Sequence, residues 1–386
     1  MTTELDPEVR KLVLAFNMQL RRIKDHFVER DAAVDIVALA ALCREHVLLI
    51  GPPGTAKTGV LERFSAMLRA KYFRYLLTKF TEPDELFGTI HVPSFHKGDL
   101  VLNTEGMLPK AHIAFLDEVF NGSSAILNTL LTLINERHFQ NGPLQEDAPL
   151  ISLFGAANDI PDDPMLRAFC DRFLFRYTVR PVSEEAIGTV LDLGWAHEQA
   201  ALEGPAELPD RPDFPLGSLE RLQHAVAAVD LQPVRYQLIS ILRAFRAGEV
   251  VFSDRRAVKA QKAIAATALL HARKRAEPED LSVLAHLWAL PGDEQTISQI
   301  LRDHDVREPE RAGSVTDLTE LQALLAKTEN EIEGVESLEE LRELQRRLSR
   351  WLADVRDFHS DRADLLETIG RLQAAALQQR QQRFQD

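Results

Sequence analysis

Residues 51–58 read GPPGTAKT, between an apolar run, HVLLI, and a stretch of helical period, GVLERFSAML. That order constrains the fold more than any other feature of the chain. A loop that wraps a phosphate usually reads G-x-x-x-x-G-K-[ST]. It follows a buried strand and opens a helix, because its backbone N–H groups and the helix N-terminus then point at the anion. Here Gly51, Pro52, Pro53, Gly54, Thr55, Ala56, Lys57, Thr58 and Gly59 supply the cradle. Gly51 and Gly54 let the backbone bend and approach an anion closely. Lys57 is placed to reach β- and γ-phosphates, and the Thr58 hydroxyl to bind Mg²⁺. The departure is Ala56, where the pattern has its second Gly. If the backbone there is near αR, Ala is harmless; if φ is positive, Ala is strained.

The rest of the chain fits an α/β reading. Residues 7–45 have helical spacing, carried by EVRKLVLAFNMQLRRIKDHFV and DAAVDIVALAALC. HVLLI, FRYLLTKF, HIAFLDE, LISLFGAAND and FLFRYTV read as strands, and SAILNTLLTLINERHF as an amphipathic helix. Strands alternating with helices predict a parallel sheet. After Val179 the strand signals fade, and the Pro-rich LPDRPDFPLG at 208–217 reads as a loop or linker. Three segments follow: an α/β nucleotide-binding domain over 1–207, an all-α domain over 208–292, and a helical, coiled-coil-like extension over 293–386. In the last, Leu341, Leu344, Leu348, Leu352 and Val355 step by three and four residues, which predicts a helix or helical hairpin with one apolar face.

A phosphate loop needs acids. HIAFLDE ends a buried strand in Asp117, a candidate Mg²⁺ ligand, and Glu118, a candidate for polarising the attacking water. Asn158, closing LISLFGAAND, is an amide that could orient that water; an Asx turn is its plainer reading. Arg172, just before the last strand, could act on a neighbouring subunit's γ-phosphate, or simply pair with Asp171. Arg137 is a weaker candidate for the same role. Arg255 and Arg256 stand at a predicted helix start, where the dipole does not favour cations, so one of them could fold back onto a nucleotide.

The 386 residues allow two or three domains, and 45% hydrophobic with 27% charged residues is ordinary for a globular protein. A net charge of −14 disfavours nucleic acid as a partner. Two distant cysteines, Cys43 and Cys170, argue for a reducing compartment and against a disulfide scaffold. The polar start MTTELDPEVR is unlike a signal peptide, and no apolar run is long enough to span a membrane. These features lead to the expectation of a cytoplasmic protein.

Together the motifs resemble those of the AAA+ ATPases. GPPGTAKT is similar to their Walker A, AFLDE to Walker B, GAAND to sensor 1 and DRF to the arginine-finger region. More narrowly the chain resembles the MoxR group, which typically carries Ala in this place of Walker A. TEPDELFG, FLDEVFNGSSAILNTLLTLINER and HFQNG are similar to the RavA branch of that group, and FSDRRAVKA to its sensor 2, which would make Arg256 the sensing Arg. The resemblance covers roughly residues 10–290. It implies an AAA+ P-loop core followed by an all-α lid. It also implies ATP and Mg²⁺ as cofactors, a hexameric ring with a finger acting in trans, and chaperone-like remodelling of a client together with a von Willebrand factor A (VWA) domain protein. An insert at 89–106, with Phe95, His96 and Lys97 at its tip, and a hairpin at 139–149 are implied as partner-facing features. The partly β domain of RavA has no counterpart in the helical tail. Two other readings are an activase for one metabolic enzyme, as in CbbQ proteins, and a nucleotide-dependent scaffold with little turnover.

Overall fold

Asp6 starts the first helix: its carboxylate accepts from the backbone N–H groups of Glu8 (2.9 Å) and Val9 (3.3 Å), and Pro7 occupies the first turn, where no N–H is needed. This helix, α1 (Pro7–Lys24), buries Val13, Phe16, Leu20 and Ile23 along one face. Helix α2 (Asp31–Cys43) is apolar almost all round and is buried from Ala33 to Cys43, apart from the half-buried Asp35. In the computed structural model the described residues are 5–92, 101–161, 163–184, 186–202 and 213–306, with 322, 325–329, 331, 332, 335, 344, 348, 351, 352, 355 and 362–383. The chain forms two units, Met1–Pro309 and Glu310–Asp386.

In the first unit the elements follow as β1 (Val47–Ile50), α3 (Lys57–Met67), β2 (Tyr72–Leu76), α4 (Pro83–Phe87), β3 (Ile113–Asp117), α5 (Ser124–Glu136), β4 (His138–Asn141), β5 (Leu144–Asp147), β6 (Ser152–Ala157), α6 (Pro164–Cys170), β7 (Phe175–Thr178) and α7 (Ile187–Leu202). Five strands make one sheet in the order β2-β3-β6-β1-β7, and every pairing is parallel. All residues of β1 and β6 are buried, as expected of central strands covered on both faces. The β4–β5 pair is a separate antiparallel hairpin, close to the expected 139–149. The legs of the 89–106 insert also pair, with His91 N donating to Val101 O (2.7 Å) and Asn103 N to Thr89 O (2.8 Å). Its proposed tip residues Phe95, His96 and Lys97 lie outside the described residues.

The lid follows: α8 (Leu216–Val226), α9 (Arg235–Ala247), α10 (Asp254–Leu270), a 3-10 segment (Pro278–His286) and α11 (Asp293–Asp303). Helix α11 buries Ile297 and Leu301, and Gln237 of α9 donates to His304 O just beyond it (2.8 Å). The expected boundary after residue 292 therefore cuts too early: α11 belongs with the lid, because its apolar face is needed to close the lid core. The lid docks on the N-terminal helices. Asn17 donates to Leu270 O (2.8 Å), Gln223 to Ala41 O (2.8 Å), and Lys259 pairs with Glu45, two residues before β1. By contrast α7 leaves Ile187, Val190, Leu191, Trp195 and Leu202 exposed.

The second unit has its own small core. Leu344, Leu348, Trp351 and Val355 are buried at steps of four, three and four. Leu365, Ile369, Leu372 and Ala376 of α12 (Ala363–Arg383) repeat that spacing. The stripe differs from the expected one at one step, where Trp351 takes the inward position and Leu352 packs beside it. The larger indole fills a small core better, and Leu341 lies outside the described residues.

Candidate nucleotide site

The loop leaves β1 at the carboxyl end of the sheet and enters α3 directly, which is where open α/β sheets hold ligands. Gly51 lies so close to the segment after β7 that a Cβ there would come within 2.2 Å of Val179 O. Gly54 has φ +78°. Ala56 also sits in the left-handed region, at φ 63° and ψ 14°, so its methyl group is strained where Gly would be free. That settles the question the sequence left open at this position. Thr55 braces the turn by donating to Pro52 O (3.0 Å). Behind it the buried Arg30, at the start of α2, donates through Nε to Thr55 O (3.0 Å). Arg30 carried no motif and was missed; only its packing shows that it backs the loop.

Lys57 opens α3, and its Nζ donates to Gly51 O (2.6 Å) and Pro52 O (3.0 Å). Burial pushes its ammonium below the usual lysine range, while the Asp117 and Glu118 carboxylates act in the opposite direction. Thr58 and Gly59 follow in the first turn, and a Cβ on Gly59 would touch the Phe27 ring at 3.1 Å.

Sheet order places the acids. Strand β6 lies between β1 and β3, so Asn158 emerges between the phosphate loop and the Asp117–Glu118 pair. Those flanking strands are two spacings apart, about 10 Å. Asn158 Nδ2 donates to Glu118 Oε1 (2.9 Å). Glu118 has φ 51°, and its N–H donates to Asp117 Oδ1 (3.0 Å). The donor set fits a nucleotide with its own cation. No cluster of three or more His, Cys, Asp or Glu able to cage a metal occurs among the described residues. A hydroxyl and one carboxylate beside a phosphate cradle suit Mg²⁺, which binds through few protein ligands and the phosphates themselves.

The arginines lie elsewhere. Arg172 is in the turn before β7, at the amino end of the sheet, since Phe175 is level with Val47 at the start of β1. The four-residue strand thus separates it from its own loop by about 13 Å. Its Nε is buried and has no acceptor among the described residues. Asp171, the innocent partner considered for it, is paired with Arg256 instead (3.2 Å). Arg256 is only 2% exposed and is bound to backbone carbonyls around that same turn. Arg176 of β7, absent from the sequence reading, is buried beside it, donates to Cys170 O (2.9 Å) and lies over the Trp288 ring at 5.5 Å. Arg137 caps α5 in the left-handed region and spends its guanidinium on Leu150 O and Arg44 O, which leaves it bracing the interior. Arg255 donates to Asn135 Oδ1 (3.0 Å).

A family model described as the MoxR domain in the MoxR-vWA-beta-propeller ternary systems matches residues 15–210. This chain belongs to the MoxR family of AAA+ proteins. A second match, to an AAA lid domain, covers 233–301 and so includes most of α11. An uncharacterized protein of Methanocaldococcus jannaschii is 38% identical over 274 residues, 70% of each chain. The chaperone MoxR1 of Mycobacterium tuberculosis is 29% identical over 183 residues, 46% of this chain and 48% of that one. The crystal structure of a proposed ATPase from Cytophaga hutchinsonii overlays with a TM-score of 0.61, covering 76% of this chain and 96% of that one. At 17% identity it establishes the shared fold alone. No described helix is long and apolar enough to cross a membrane.

Proposed function

We propose that this MoxR protein hydrolyses ATP as a cytoplasmic hexameric ring and uses the cycle to remodel or activate a client protein. The observation that carries the reading is the meeting of three strand ends: the Lys57 loop, the Asp117–Glu118 pair, and Asn158 hydrogen-bonded to Glu118 at 2.9 Å. In this reading Lys57 leaves the Gly51 and Pro52 carbonyls to hold β- and γ-phosphate oxygens. Thr58 and Asp117 would hold Mg²⁺, which would supply charge neutralisation for the phosphates. Glu118 polarises the attacking water and Asn158 holds that carboxylate in orientation. Arg172 supplies charge to the neighbouring subunit's site, and its distance from its own loop supports a role in trans.

The matched description favours a VWA-domain protein, and adds a β-propeller protein, as companions. The motif stretches TEPDELFG and FLDEVFNG support a RavA-like core within the family. ATPase activity measured across protein concentration, with light scattering in parallel, tests the reading. Specific activity should rise as a ring of about six subunits forms. A monomer that turns over equally fast would sink it.

A further inference from the structure

Arg256 sits where the motif places a nucleotide-sensing arginine, yet its guanidinium is committed elsewhere. Nη1 donates to Leu174 O (2.8 Å), Leu287 O (3.1 Å) and Trp288 O (3.5 Å). Nη2 donates to Asp171 Oδ1 (3.2 Å) and Phe173 O (3.3 Å). Three of these five acceptors belong to the turn that carries Arg172, and the other two close the lid's 3-10 segment. The side chain itself comes from the first turn of α10, which Ser253 caps by accepting from Arg256 N (3.2 Å). All of this happens at the amino end of β7. The phosphate loop lies past the other end of the adjacent strand. To meet its own nucleotide, Arg256 would have to abandon five acceptors and cross the strand length, about 13 Å.

We infer that Arg256 is a positioning residue for the finger. It clamps the 171–174 turn to the lid, so the lid and Arg172 move as one body, and it touches no phosphate itself. Asp171 is the second half of the clamp, because a charged acceptor fixes a guanidinium more firmly than a carbonyl does. The inference rests on the trans role of Arg172 proposed above, and deepens it: lid position would set how far the finger reaches into the next subunit.

A double-mutant cycle on kcat in assembled rings separates the possibilities. Arg256→Ala should lower kcat by about tenfold or more while nucleotide Kd stays within about twofold. Asp171→Asn, a milder change at a half-exposed side chain, should lower it less. Combined with Arg172→Ala, either variant should add no more than about twofold to the loss from Arg172→Ala alone, because a residue acting through the finger has nothing left to act on. Arg256→Lys should resemble Arg256→Ala, since one ammonium cannot fork to five acceptors spread over two segments. Multiplicative losses, a weakened nucleotide Kd, or Lys substituting well for Arg256 would each overturn the clamp and restore a phosphate-contacting role. If Arg172→Ala alone leaves kcat intact, the finger reading fails and the clamp falls with it. If that variant is impaired but the cycle is additive, only the clamp falls. Should Arg256→Ala fail to assemble, the Asp171→Asn cycle decides alone.

Discussion

The two ends of the parallel sheet are built from different materials. At the carboxyl end the groups are two half-buried acids, an exposed amide and a half-buried lysine at strand and helix ends, joined by side-chain hydrogen bonds such as Asn158–Glu118. At the amino end they are arginines sunk into protein, with Arg176 and Arg256 almost fully buried and lid segments closing over them. The first end can bind and polarise a phosphate chain. The second holds Arg176 and Arg256 inside the protein on backbone carbonyls, next to the turn that carries Arg172. What the difference teaches is how the proposed mechanism divides its labour: the two ends of one chain face opposite ways, and in the proposed ring a neighbouring subunit would bring them together.

The largest expected effect tests that division. Arg172→Ala should lower kcat by about 10³-fold, the scale of an arginine finger. Mixing with Lys57→Ala subunits should restore part of it, since each variant then supplies what the other lacks. Mixed rings that stay inactive would return Arg172 to its own chain. Next, at the carboxyl end, Glu118→Gln should keep ATP binding and lose about 10²-fold or more in turnover. Wild-type turnover there would remove Glu118 from the chemistry.

A smaller effect belongs to the amino end. His46, just before β1, is buried between Ile134 O (3.0 Å from Nε2) and Leu153 N (3.0 Å from Nδ1). That pairing needs a neutral ring. Burial, with Arg137 nearby, holds its pKa well below the ordinary value, and burial lowers His286 to about 4. Below about pH 6.5 the unfolded chain takes up protons that the fold refuses, so stability falls as pH falls, by up to about 1.4 kcal/mol per unit for each such group. The melting temperature should drop between pH 7.5 and 5.5, and His46→Gln should flatten the slope while lowering stability at neutral pH. An acid-insensitive melting temperature would contradict the neutral His46. The smallest effect returns to the loop: Ala56→Gly should stabilise the fold by roughly 0.5–1 kcal/mol, balancing relief at φ 63° against glycine's added chain entropy. A fall in melting temperature would argue against a left-handed loop.

The carboxyl end was legible in the sequence because each element there is a short apolar run ending in its functional residue. HVLLI, HIAFLDE and LISLFGAAND announce strand and chemistry together. The amino end was not legible in the same way. Nothing near Arg256 in sequence tells that its acceptors lie more than eighty residues back, at Asp171 and Phe173, or that Arg176 stacks on Trp288. Such contacts depend on how the lid folds back, and no local period encodes that. Arg30 escaped notice because its acceptor, Thr55 O, is met only through the packing of the start of α2 behind the loop. The lid boundary slipped because PGDEQ looks like a linker, whereas the apolar face of α11, with Ile297 and Leu301, needs the lid's core. Trp351 displaced Leu352 because two registers of one stripe differ by a single residue.

The exposed face of α7 has an optical consequence. The chain has three tryptophans, and Trp288 and Trp351 are buried while Trp195 on α7 is 64% exposed. Red-edge emission and iodide quenching should therefore report on Trp195 almost alone. A blue shift on adding another protein would then place that protein against α7, with no label attached.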